Sequence, residues 1–124
     1  MVKASMDLVC SEVAFNRLRG FARDIGNPLR EAAAKEIGIR PSAVGFRILS
    51  CEEGETATDF EIRCYVHVPK GLDMTWLAGE IGKTWATIRT GASFVDPMFS
   101  WSVMVRIIPV SATMIYKDGE LVNN

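Results

Sequence analysis

Asp59-Phe60-Glu61-Ile62-Arg63-Cys64-Tyr65-Val66-His67-Val68 alternates strictly between two kinds of side chain. Phe60, Ile62, Cys64, Val66 and Val68 fall on one face, and Glu61, Arg63, Tyr65 and His67 on the other. A period of two is the signature of a strand that buries one side, and Pro69 ends it. Upstream, Val44, Phe46 and Ile48 alternate with Gly45, Arg47 and Leu49, a second strand of the same kind. The polar stretch Glu52 to Thr58 between them reads as a hairpin loop.

Working outward, Asn27-Pro28 opens a helix whose apolar stripe is Leu29, Ala32, Ala33 and Ile37, with Gly38 as its stop. Downstream, Asp73 caps a helix with the stripe Met74, Leu77, Ala78, Ile81, Trp85 and Ile88, ending near Gly91. Gly79 and Gly82 inside that helix cost propensity, and the expected return is close approach to a sheet. Ser100 to Ile108 reads as another strand. The first 25 residues fit either period; the preferred reading is a strand to Cys10, then Ser11 capping a short helix through about Gly20.

The order β-α-β-β-α-β then predicts an α+β fold of the ferredoxin-like, split-βαβ kind. Its sheet would be antiparallel in the order 4-1-3-2, with two helices on one face and the other face open. Residues 1–110 form this single domain; 111–124 form a C-terminal hairpin turning at Asp118-Gly119.

The pattern resembles the SEA-like modules of mucin-type proteins. The residues concerned are Ser5-Met6-Asp7-Leu8, Ala32 to Ile39, Pro41-Ser42-Ala43-Val44, and Gly54-Glu55-Thr56 running into Asp59-Phe60-Glu61-Ile62. The resemblance implies the fold. It does not carry over self-cleavage, which in those modules needs a Gly-Ser bond, because Glu55 follows Gly54 here.

Fourteen Lys and Arg against fifteen Asp and Glu leave a net charge of -1, so no global field draws nucleic acid. Charge is uneven nonetheless: Asn16 to Arg40 is basic, and Cys51 to Glu61 carries acids alone. No apolar run reaches the roughly 18 residues of a membrane span. Met1-Val2-Lys3-Ala4-Ser5 lacks a secretion signal's apolar core. With an odd number of cysteines, this suits a reducing intracellular compartment unless a targeting segment has been removed. Cys10, Cys51 and Cys64 have no metal-site or redox-motif spacing. Cys10 and Cys64 are both expected to face the helices as buried apolar thiols, close enough in the core that a redox pair is the alternative.

His67 is the only histidine, and no hydrolase, metalloprotease or phosphate-loop motif accompanies it. No catalytic, cofactor or metal residue is therefore assigned. The main functional expectation is a non-catalytic interaction or assembly module that pairs with a protein partner or with itself. Its contacts would be Phe94, Val95, Met98 and Phe99 in an apolar connector, Trp76 off its helix stripe, and Met114 and Tyr116 in the tail. The alternative is a small-molecule binder or enzyme using the open sheet face around Arg47, Arg63, Tyr65 and His67. RNA binding on that face is disfavoured, because the strand lacks the glycine and aromatic pair such domains use.

Overall fold

A computed structural model describes residues 4–52, 58–91, 102–110, 114–117 and 120–123. The chain begins with β1 (Ala4–Ser11), then α1 (Glu12–Leu18) and a 3-10 turn (Arg19–Phe21) leading into α2 (Ala22–Ile37). Strand β2 (Val44–Cys51) and strand β3 (Phe60–Val66) follow, then α3 (Met74–Gly91) and β4 (Val103–Pro109). A hairpin of β5 (Met114–Lys117) and β6 (Glu120–Asn123) makes a separate two-stranded sheet.

The punctuation works as its chemistry dictates. The Ser11 hydroxyl accepts from the Ala14 N–H at 3.2 Å and starts α1. The Asp73 carboxylate accepts from the Trp76 N–H at 3.0 Å and starts α3. Gly38 closes α2 in the left-handed region at φ 83°, and its N–H and that of Ile39 both bond the Ala34 carbonyl.

Helix α2 does not start at Asn27. It begins at Ala22 and runs through Pro28. Ile25 lies one turn before Leu29, and both are fully buried. Burying Ile25 contributes about 1.5–3 kcal/mol, comparable to the roughly 3 kcal/mol an interior proline costs. Gly26, on the same turn, lets the helix approach the sheet: a Cβ there would stand 2.6 Å from the Phe46 ring. In α3 close approach requires glycine at neither position: a Cβ at Gly82 would make an ordinary contact with Val105 at 3.9 Å, and Gly79 has open space beside it.

The main sheet has the order β2-β1-β3-β4. β1 and β2 are parallel, β1 and β3 antiparallel, and β3 and β4 parallel. This corrects the antiparallel 4-1-3-2 arrangement. Each strand-helix-strand unit closes on an adjacent strand instead of leaving a gap for the other unit to fill. The segment between β2 and β3 is therefore no hairpin: β1 lies between them, so the connector crosses two strand spacings, about 10 Å. Hydrophobic alternation dictates which face a residue joins, and it is silent on which strand lies alongside.

Helices α2 and α3 cover one face together. Beneath them lie Met6, Leu8 and Cys10 of β1, Phe60, Ile62 and Cys64 of β3, and Ile25, Leu29, Leu77, Ile81 and Trp85 from the helices. The Trp85 ring sits 5.0 Å from that of Phe60, tilted by 52°. Cys10 and Cys64 do share this core, but Cys10 pairs with Phe60 and Cys64 with Met6, so they stand apart along the β1–β3 seam.

Candidate functional site

Register builds the open face row by row. One row reads Gly45, Ser5, Tyr65, Ile108 from edge to edge; the next reads Arg47, Asp7, Arg63, Arg106; a third reads Leu49, Val9, Glu61, Met104. Three guanidinium groups and two carboxylates thus gather on neighbouring rungs of a sheet whose strands lie about 4.8 Å apart.

The two carboxylates sit at the bottom of this cluster. Asp7 accepts from Arg47 Nε at 2.8 Å and, more loosely, from Nη2 at 3.5 Å. Glu61, with its side chain only 4% exposed, meets Arg63 Nη2 at 3.2 Å through Oε2 and Arg106 Nε at 3.3 Å through Oε1. The Oε1 contact is an ion pair without hydrogen-bond alignment. A carboxylate removed from water needs such partners, since an unpaired buried charge is strongly unfavourable. The Asp7 hydrogen bond, reinforced by its charge, raises the Arg47 pKa above its ordinary value. For Arg63 the hydrogen bond to Glu61 does most to raise it, against a burial effect that lowers it, with a smaller hydrogen bond to Tyr65. Tyr65 stands one rung away on β3, on the same face as this row.

Beside Arg47 the face dips into a shallow depression lined by Ser5, Asp7, Gly45, Arg47 and Tyr65. Gly45 leaves its floor open, as a Cβ there would reach within 3.4 Å of Ser5. A surface of this kind can hold an anion by charge and by forked N–H donors, with the Tyr65 hydroxyl as an orienting hydrogen bond.

Of the open-face residues named from sequence, the fold brings Arg47, Arg63 and Tyr65 together. His67 lies just past the end of β3, half-buried. Sequence reasoning missed Asp7, Glu61 and Arg106 as members of the cluster. Their signal was a charged residue on the polar side of a strand, which gains meaning only once the register is known. Among the apolar contact candidates, Phe94, Val95, Met98 and Phe99 lie outside the described residues. Trp76 is 55% exposed, with the Lys83 ammonium 5.3 Å from its ring centre. Met114 and Tyr116 lie on β5.

No disulfide joins Cys10, Cys51 or Cys64. Burial, with a smaller effect of nearby Cys51, pushes Cys10 up to about 12, and burial pushes Cys64 up to about 11. Neither is poised as a nucleophile. Among the described residues no cluster of His, Cys, Asp and Glu is arranged to hold a metal ion, and no helix is long and apolar enough to cross a membrane.

No protein-family model and no curated protein sequence matches the chain. Solved structures do. An R7 fused 4-OT wild-type asymmetric trimer is similar over 94% of each chain, with a TM-score of 0.62 at 14% identity. The macrophage migration inhibitory factor-like protein of Entamoeba histolytica matches over 95% of this chain and 97% of its own, with a TM-score of 0.57 at 9% identity. FG41 malonate semialdehyde decarboxylase inhibited by 3-bromopropiolate matches over 90% of this chain and 85% of its own, with a TM-score of 0.52 at 14% identity. The chain therefore shares with these solved structures its α+β fold, here two adjacent strand-helix-strand units.

Proposed function

We propose that this protein binds a small carboxylate on the open face of its sheet, as an enzyme or a binding protein, and works as a homo-oligomer. The observation that carries the reading is the excess of guanidinium over carboxylate on the row Arg47, Asp7, Arg63, Arg106 with Glu61 beneath it. Arg63 and Arg106 share one buried counter-ion, so their joint charge remains positive. A carboxylate seated there would be polarised by two guanidiniums and aligned by the Tyr65 hydroxyl. That arrangement stabilises negative charge developing on the ligand.

The structural neighbours support the same direction. One is inhibited by 3-bromopropiolate and another, Pt0534, is inactivated by 2-oxo-3-pentynoate; both compounds are small carboxylates. The fused 4-OT neighbours are trimers by name, which fits the homo-oligomer. These names favour the small-molecule alternative over the non-catalytic module. Trp76, large, apolar and mostly in solvent, is the described feature that still speaks for a protein-docking role.

The test is calorimetric titration of acetate, pyruvate and malonate at low ionic strength, with sedimentation to establish the oligomer. Binding that weakens with salt and falls in Arg106→Gln supports the reading. Absence of binding at millimolar concentration in the wild type sinks it, and a monomer at all concentrations removes the oligomer.

A further inference from the structure

We infer that Glu61 is a positioning residue that sets the charge of the anion seat, so that the open face prefers a ligand with one carboxylate over one with two. The inference rests on the small-carboxylate reading above and names its substrate class. Arg63 and Arg106 stand directly opposite each other on parallel strands. Like charges on facing rungs repel, so this pair is unfavourable unless an anion lies between or beneath it.

Glu61 is that anion. It sits one rung away on β3, nearly buried, and reaches Arg63 with one oxygen and Arg106 with the other. Both guanidiniums are consequently held at one edge; Arg106 is 57% exposed, and its Nη2 makes one further weak bond, donating to Met104 Sδ at 3.9 Å. Two positive charges less one negative leave a seat for a single negative charge. A second carboxylate on the ligand would lie over Asp7, whose charge Arg47 already answers. Oε1 of Glu61 has no aligned hydrogen bond, so its hold on Arg106 is chiefly Coulombic. Neutralising Glu61 without changing its shape should therefore free Arg106.

The experiment uses the full chain and two probes, acetate and malonate, titrated by calorimetry at low salt into wild type, Glu61→Gln and the double variant Glu61→Gln/Arg106→Gln. The expected result is a malonate-to-acetate affinity ratio that rises roughly tenfold in Glu61→Gln, as for loss of one charged hydrogen-bonding partner, and returns towards the wild-type value in the double variant. An unchanged ratio in Glu61→Gln, with far-ultraviolet circular dichroism showing a folded protein, overturns the inference. If Glu61→Gln does not fold, the wild type decides by proton exchange at the arginine guanidiniums. Slow exchange at Arg63 Nη2, which donates to Glu61, relative to exposed Arg40 supports the clamp, and equal rates overturn it. A wild type that binds neither probe while the Arg63 Nη2 protons stay protected defeats the carboxylate reading and the selectivity with it, leaving Glu61 as a structural clamp only.

Discussion

Asp7 and Arg47 face each other across the parallel pair β1–β2, yet only one of them is out of the water: the Asp7 side chain is 8% exposed and the Arg47 side chain 69%. The pair is asymmetric in consequence. Losing the arginine strands a buried carboxylate, whereas losing the carboxylate leaves a guanidinium that water solvates. Arg47→Gln should lower the urea unfolding midpoint more than Asp7→Asn. Equal midpoints would mean that Asp7 is hydrated.

Glycine substitutions should act in opposite directions at two helix positions. Gly26→Ala drives a methyl into the Phe46 ring and should destabilise by about 1–3 kcal/mol, less whatever helix propensity returns. Gly79→Ala meets nothing on an exposed helix surface and should stabilise by roughly 0.5–1 kcal/mol. Chemical denaturation of the two variants checks both signs.

Two tryptophans of one helix should respond very differently to truncation. Trp85→Ala removes the partner of Phe60 from the core and should cost about 3–5 kcal/mol. Trp76→Ala should stay within roughly 0.5 kcal/mol in a free subunit, because its ring stands mostly in solvent. A larger loss that depends on protein concentration would mean that Trp76 is buried between subunits.

The buried thiols give stability a definite alkaline slope. Their ordinary value of 9.0 is pushed to about 12 at Cys10 and about 11 at Cys64. Above pH 9.0 the unfolded chain releases these protons while the folded chain keeps them. Unfolding is therefore favoured as pH rises, and the stability due to burying neutral thiols is lost progressively through the folded values. The urea midpoint should fall as pH rises from 9.0 towards 11, less steeply in Cys64→Ala relative to its own neutral value. At neutral pH an alkylating reagent should label Cys51 and spare the other two.

Much of the local structure was legible in the sequence. Ser11, Asp73 and Gly38 carry their capping chemistry in their side chains, or in the lack of one, and they terminate helices as expected. The faces of β3 are likewise intrinsic to its alternation. Pro28 misled because the burial of Ile25, a tertiary effect, extends α2 through it. Strand order was not legible: β2 could satisfy its apolar face equally well beside β1 or beside β3. The charged cluster depends on that order. Asp7 and Arg47 lie 40 positions apart, and only the parallel register of β1 with β2 makes them partners.

The antiparallel seam between β1 and β3 gives the architecture an approximate internal dyad. Half a turn about an axis normal to the sheet exchanges β2-β1 with β4-β3, and α2 with α3. The two outer strands are then equivalent margins running in opposite directions. A neighbour able to join one margin meets the same geometry at the other, so growth through one side need not exhaust the subunit. A closed ring needs only that successive joins turn through a common angle.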